Sequence, residues 1–81
     1  MARITDTDDK NIVGHKIREL RIKKGYTQQN LSDKLETLPI YVCRGSISRI
    51  EDKQRTVTDI ELYGLSKVLD TPIDSLFEED S

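Results

Sequence analysis

Apolar residues recur at helical spacing in five short segments, and polar or helix-breaking residues separate these segments. A spacing of three or four residues places apolar side chains on one face of a helix. No stretch alternates apolar and polar residues for long enough to indicate a strand. The pattern therefore predicts an all-α domain of five short helices. The apolar stripes run from Val13 to Leu20, Leu31 to Leu38, Ile47 to Ile50, Ile60 to Leu69 and Ile73 to Phe77.

Sequence signals mark the ends of the first two helices. The first helix is expected from Asn11, a favoured N-cap residue, to Lys24. It stops at Gly25, because the chain just past a helix end often turns through a left-handed conformation. Thr27 is the expected cap of the second helix. Pro39 ends that helix, because proline has no N–H to continue the hydrogen bonding.

The last two helices carry signals of their own. Thr58 followed three residues later by Glu61 is a capping-box signature for the start of the fourth helix. Gly64 inside that helix costs about 1 kcal/mol relative to Ala, which indicates close packing against a neighbour or simple tolerance. Pro72 suits the first position of a fifth helix.

The 81 residues form one domain, which we place at residues 11–77 between a flexible arm at 1–10 and an acidic, frayed tail at 78–81. A domain of this size buries only about 60% of its unfolded surface, so self-association would add to a marginal core. The core must come mainly from Ile, Leu and Val, because Trp is absent and Phe occurs once.

One cysteine, Cys43, and one histidine, His15, limit the chemistry that is open to the chain. They exclude an internal disulfide and do not make a metal-ligand set. We expect no metal, no cofactor and no enzymatic activity, since no nucleophile–base pair, carboxylate constellation or phosphate-binding glycine loop occurs. No apolar run approaches the ~20 residues of a membrane span, and we expect a cytoplasmic protein without membrane association.

Charge is distributed unevenly along the chain. The net charge of −2 by itself argues against a nucleic-acid partner. Residues 10–55, however, hold eleven Lys and Arg against five Asp and Glu, whereas the rest of the chain holds two against ten. A phosphate backbone responds to the local field, so the basic segment is a candidate nucleic-acid surface.

The segment CRGSISRIED brings apolar and basic residues together in one short helix. Its isoleucines, Ile47 and Ile50, face the core. Arg44, Ser48 and Arg49 point away from them. An arginine that is free to rotate over base edges is the usual reader of guanine in a DNA major groove. The alternative is a solvated helix face, where charged residues usually lie.

The first helix and its exit read IRELRIKKGYTQ, and the segments GYTQQNLSDKL, GSISRIE and PIDSLF occur in that order along the chain. In these segments the chain resembles the lambda-repressor-like, XRE-type helix-turn-helix regulators of bacteria and their phages. The similarity spans Ile12 to Phe77. The resemblance implies a compact five-helix domain, bacterial or phage-encoded, whose third helix enters the major groove of double-stranded DNA.

The resemblance also assigns roles to single positions. The positions that it implies for base contacts are Arg44, Gly45, Ser48 and Arg49. Those implied or expected for phosphate contacts are Gln28, Ser46, Lys53, Gln54 and Arg55. Arg21 and Glu51 match a structural salt bridge between the first and third helices. Relatives often pair through the fourth and fifth helices, which implies a homodimer interface at Leu69, Ile73, Leu76 and Phe77.

The chain departs from the family between the second and third helices. Extra residues lie around Glu36 to Ile40, where relatives have a short turn, so the fold is expected to carry an extended loop. We expect Ile40 or Val42 to enter the core, and Tyr41 to be packed beside it or exposed.

Two capping positions also depart from the family. Cys43 stands where Ser or Thr normally caps the third helix, so that helix begins there or later at Ser46, which would leave Arg44 in the loop. Asn30 replaces an acidic residue, so only half of the second helix's capping box is expected. A thiol at a helix N-terminus can have a lowered pKa, so one hypothesis is that Cys43 acts as a redox switch. The simpler interpretation is that a small residue is tolerated at this position.

The leading functional hypothesis is a sequence-specific DNA-binding transcriptional regulator, a repressor that binds an operator as a homodimer and reads two half-sites about one helical turn apart. The alternative is a protein-interaction module with an unknown partner, such as the antitoxin of a toxin–antitoxin pair. A neighbouring toxin-like gene would favour the second hypothesis.

Overall fold

A computed structural model of the chain describes residues 9–77. These residues form no strand. The predicted all-α, five-helix architecture is confirmed. Most of the arm predicted at 1–10, and the whole tail predicted at 78–81, lie outside the described residues. The helices are α1 (Gly14–Lys23), α2 (Gln28–Glu36), α3 (Arg44–Glu51), α4 (Asp59–Val68) and α5 (Ile73–Leu76).

The helices and the α2–α3 connection share one apolar core, in which α3 packs against α1 and α2 while α4 packs against α2 and α5. Ile60 was expected to face inward but is 64% exposed, so that expectation is wrong, and Leu38, the last residue of the second predicted apolar stripe, is 37% exposed. α2 ends at Glu36, before Leu38. Ile60 lies on a different side of α4 from the buried Leu65 and Leu69. The buried apolar residues are Val13, Ile17, Leu31, Leu35, Ile40, Val42, Ile47, Ile50, Leu65, Leu69 and Leu76.

Complete capping boxes start α2 and α4. In α2 the Thr27 hydroxyl accepts a hydrogen bond from the Asn30 N–H at 3.0 Å, and the Asn30 side-chain oxygen accepts one from the Thr27 N–H at 3.1 Å. The expectation that only half of this box forms is wrong, because an amide oxygen accepts the bond as a carboxylate would. The box predicted for Thr58 and Glu61 is confirmed.

α1 begins at Gly14, three residues later than predicted. Asn11 still satisfies the free end of the helix, because its side-chain oxygen accepts from the N–H groups of Val13 at 3.2 Å and Gly14 at 2.9 Å. Gly25 follows the helix with a φ of 76°, as predicted for a residue that ends it. At the other end of the chain, Pro72 is the N-cap of α5 and not its first helical residue.

The α2–α3 loop is held by two apolar anchors. Ile40 and Val42 are both buried, whereas one or the other was expected to be, and Tyr41 between them is exposed. A Cβ added to Gly64 of α4 would lie 2.6 Å from Ile40 Cδ1 and 2.9 Å from Leu35 Cδ2. Close packing against this loop and α2, and not simple tolerance, therefore accounts for the glycine.

Candidate nucleic-acid interface

The inner side of α3 carries a buried carboxylate as well as two isoleucines. Glu51 is 2% exposed, like the neighbouring Ile47 and Ile50. Arg21 donates to the Glu51 carboxylate twice, from Nε to Oε2 at 2.6 Å and from Nη2 to Oε1 at 3.1 Å. Gln28 Nε2 donates to the same Oε1 at 3.1 Å. The ion pair expected between Arg21 and Glu51 is thus present, and it ties α3 to α1 and to the first turn of α2.

The first turn of α1 is pressed against the C-terminal end of α3. A Cβ added to Gly14 would overlap the Ile50 carbonyl oxygen and lie 3.0 Å from that of Glu51. Asn11 Nδ2 donates to the Ile50 oxygen at 3.1 Å and to the Arg55 oxygen at 2.8 Å. Backbone contact and hydrogen bonding therefore fix the direction of α3 at this end.

The outer side of α3 is free of such contacts. α3 begins at Arg44, so the alternative start at Ser46 is wrong and Arg44 belongs to the helix. Arg44, Gly45 and Arg49 are exposed, and Ser46 and Ser48 are half-buried. Within residues 9–77, neither guanidinium makes an ion pair or a hydrogen bond with another side chain.

Gly45 is a helical glycine that the fold does not require. A Cβ added there would meet no atom within 4 Å, and the backbone is not in the left-handed region. Replacing Gly by Ala in a helix normally adds about 1 kcal/mol of stability, so the fold gains nothing from this glycine. It leaves room for a close approach to the first turn of α3 from outside.

The turn after α3 is built around Lys53, whose φ is 60°. The Gln54 N–H donates to the Arg49 oxygen at 2.7 Å and the Lys53 N–H to the Ile50 oxygen at 3.0 Å, which is the Schellman pattern. Lys53 also accepts a backbone hydrogen bond from Lys10 at 2.9 Å, and its Nζ lies 3.8 Å from Asp9 Oδ2. Positions 9 and 10, assigned to a flexible arm by sequence, are bonded to this turn.

Arg55 was expected to contact phosphate, but its guanidinium is engaged within the protein. It donates to both carboxylate oxygens of Glu61, at 3.2 and 3.0 Å. Partial burial works to raise the pKa of the Glu61 carboxyl, but hydrogen bonds from Arg55 and Thr58 outweigh it and hold the pKa below its ordinary value. The pair joins the α3–α4 loop to α4, and the positive charge of Arg55 is matched by a carboxylate within the protein.

Two of the four residues predicted for a dimer interface are inaccessible. Leu69 and Leu76 are 0% exposed, because both fill the core of their own chain. Ile73 and Phe77 are 39% and 43% exposed and remain available for contact.

Cys43 lies at the N-cap of α3, is exposed and gives the helix no side-chain cap bond. Its Sγ is 3.5 Å from Ser46 Oγ. The neighbouring Ser46 hydroxyl and the backbone N–H of Ser46 favour the thiolate and lower the pKa of the thiol.

The part of the chain that the structure describes holds no group of three or more His, Cys, Asp and Glu arranged to bind a metal. Within the same residues, no helix is long and apolar enough to cross a membrane.

Comparison with known families identifies the arrangement. The family model described as helix-turn-helix matches residues 17–76, which include α2, α3 and most of α1. The chain belongs to the XRE-type helix-turn-helix family. The lambda-repressor-like fold expected from sequence is confirmed by solved structures of this family. A search of the curated protein sequences gives no match.

Two solved structures from the XRE-type family superimpose on the chain. One is SinR, the master regulator for biofilm formation, in complex with DNA; the TM-score is 0.70 at 28% identity, over 82% of this chain and 98% of that chain. The other is the restriction-modification controller protein C.AhdI from Aeromonas hydrophila, with a TM-score of 0.70 at 28% identity, over 79% of this chain and 89% of that chain.

Sequence inspection missed several contacts that position α3 in this XRE-type fold. Asn11 was assigned only as a cap, although its amide also binds the carbonyls at the end of α3 and in the following loop. Gln28 was assigned only to phosphate, although it holds Glu51. The available signal was the position of Glu51, which follows Ile47 by four residues and so lies on the apolar face of α3, where a buried carboxylate needs hydrogen-bond donors.

Proposed function

We propose that this chain is a sequence-specific, double-stranded DNA-binding transcriptional regulator that reads the major groove with α3. The observation that carries the proposal is the outer side of α3, where Arg44 and Arg49 flank an open first turn at Gly45 and form no ion pair or hydrogen bond through their guanidinium groups within residues 9–77. The XRE-type family supports it, since SinR of that family has been solved with DNA.

Base reading is assigned to Arg44, Gly45, Ser48 and Arg49. Arg49 is the principal reader, because a free guanidinium forms two hydrogen bonds to O6 and N7 of guanine. Gly45 acts by leaving space for the DNA. Ser48 is half-buried and reaches only bases that lie close to the helix axis.

Phosphate contacts are assigned to Gln28, Ser46, Lys53 and Gln54, at the rim of α3. Gln28 commits one amide hydrogen to Glu51, which leaves the other for a phosphate beside the N-terminus of α2. Lys53 lies in the turn at the other end of α3. When DNA binds, its Nζ gives up the 3.8 Å contact with the Asp9 carboxylate and contacts a phosphate. We assign no phosphate contact to Arg55, because its guanidinium is held by two hydrogen bonds to the Glu61 carboxylate, which offsets its positive charge.

The regulator acts as a repressor and as a homodimer, which places two α3 helices in half-sites about one helical turn apart. Ile73 and Phe77 supply the exposed apolar surface for pairing. DNA binding would take place in the cytoplasm of a bacterium or of a phage-infected cell. Sedimentation equilibrium should show a dimer at micromolar concentration, and Ile73→Asp should shift it to monomer; a wild-type monomer would remove the dimer from the proposal.

Selection of bound fragments from a random duplex pool tests the function directly. The expected result is a recurring motif with two-fold symmetry. Lys53→Ala should then weaken binding to all sequences alike and reduce the slope of log affinity against log salt by about one, whereas Lys67→Ala on α4 should change neither. A pool that shows no enrichment would refute the proposed function.

A further inference from the structure

Tyr41 is an exposed aromatic side chain that the fold does not use. It is 77% exposed, although the residues on both sides of it, Ile40 and Val42, are buried. The Ile40 N–H donates to the Leu35 oxygen at 3.1 Å, which fixes the loop against the end of α2. Tyr41 is therefore directed outward by a backbone that is anchored before and after it.

The other two tyrosines of the chain have partners. Lys34 Nζ lies 4.9 Å from the ring centre of Tyr26, and Lys67 Nζ lies 5.4 Å from that of Tyr63. Tyr41 has no hydrogen-bond or cation–π partner within residues 9–77. An amphipathic ring held in water without a partner is typical of a residue that completes its contacts in a complex.

The position of Tyr41 in the chain indicates which partner its side chain would contact. Three peptide units separate it from Arg44, so the two Cα atoms lie within about 11 Å of each other. Tyr41 thus stands beside the first turn of α3, at the end that carries Gly45. An anchored ring also loses less conformational freedom on binding than a mobile one.

We propose that Tyr41 binds the DNA backbone next to the base pairs that α3 reads, with its hydroxyl donating a hydrogen bond to a phosphate oxygen. The inference rests on the proposed function, and it gives the extended α2–α3 loop a role in docking. Tyrosine hydroxyls are among the common phosphate donors in protein–DNA complexes, and such contacts carry no sequence information.

The experiment compares Tyr41→Phe with Tyr63→Phe, which removes the same hydroxyl from an exposed tyrosine of α4. Tyr41→Phe should lower affinity about tenfold for the selected site and by a similar factor for random duplex, because a bond to a charged group is lost. The salt slope should not change, because no charge is removed. Tyr63→Phe should bind like wild type, and both variants should keep the wild-type thermal midpoint.

Wild-type affinity in Tyr41→Phe would overturn the inference while leaving the proposed function intact. A loss confined to one base pair of the selected site would also overturn it, since that pattern indicates base reading. Failure of the wild-type protein to select any DNA would refute the proposed function first, and the inference with it.

Discussion

The two sides of α3 use arginine for opposite purposes. On the inner side, Arg21 donates to both oxygens of the buried Glu51 carboxylate and a third time to the Tyr26 carbonyl at 2.9 Å. On the outer side, Arg49 is exposed and its guanidinium forms no ion pair or hydrogen bond within residues 9–77. The contrast teaches that the number of internal partners, and not residue type or net charge, separates the arginines that hold the helix from those that remain available for the proposed DNA contacts.

The test of this contrast with the largest expected effect replaces one arginine on each side of α3. Arg21→Met should lower the free energy of unfolding by about 3–5 kcal/mol, because it leaves a buried carboxylate without its cation. Arg49→Met should change it by less than about 0.5 kcal/mol, as is usual for an exposed position. Urea titration followed by circular dichroism measures both, and equal effects would abolish the distinction between the two sides.

A second test uses glycines from the same two sides. Gly14→Ala should destabilise the protein by about 1–3 kcal/mol, because its Cβ meets backbone oxygens at the end of α3 that cannot move aside independently. Gly45→Ala should stabilise it by about 1 kcal/mol, because the position is helical and open.

Affinity for the selected DNA should show the matching contrast. Gly45→Ala should weaken binding despite its higher stability, because the added methyl group stands in the path of the DNA. A Gly45→Ala protein that is more stable and binds as tightly as wild type would show that nothing approaches this turn closely.

The test with the smallest expected effect concerns Arg55, which, like Arg21, binds a carboxylate within the protein. The pKa of Glu61 is held below its ordinary value of 4.5, so the pair stabilises the fold above that pH and the contribution is lost as pH falls through the folded-state pKa. Glu61→Gln should cost less than about 1 kcal/mol at pH 7, since the pair is partly exposed.

Urea titrations from pH 7 to pH 3 check the direction of this effect. The stability difference between wild type and Glu61→Gln should stay constant down to about pH 5 and shrink below it. A difference that grows as the pH falls would mean that Arg55 is not bound to Glu61 in solution.

Local signals in the sequence were enough to predict most of the fold. Thr58 and Glu61 are only three residues apart in the chain, so their capping box could be predicted without knowing anything distant. Spacing alone could not decide between Ile60 and its neighbours, because α4 has more apolar residues than one face can bury. The exposure of Leu38 could not be predicted for a related reason, since the end of α2 is set by how the following loop packs.

Site residues were harder to predict, because their roles depend on partners distant in the chain. The Arg21–Glu51 pair came only from family resemblance, since 30 positions separate the two residues. Arg55 and Arg49 look alike in sequence, and only the nearby Glu61 distinguishes them. No DNA contact was predicted for Tyr41, because its exposure depends on two buried neighbours that spacing alone could not identify.

Binding of Arg49→Ala to the selected site and to each of its single-base variants tests the central claim most directly. Arg49→Ala should lose about 1–3 kcal/mol on the selected site and should no longer distinguish the bases at one position of each half-site, while it keeps wild-type discrimination elsewhere. A discrimination profile identical to that of wild type at every position would contradict the claim that the outer side of α3 reads sequence.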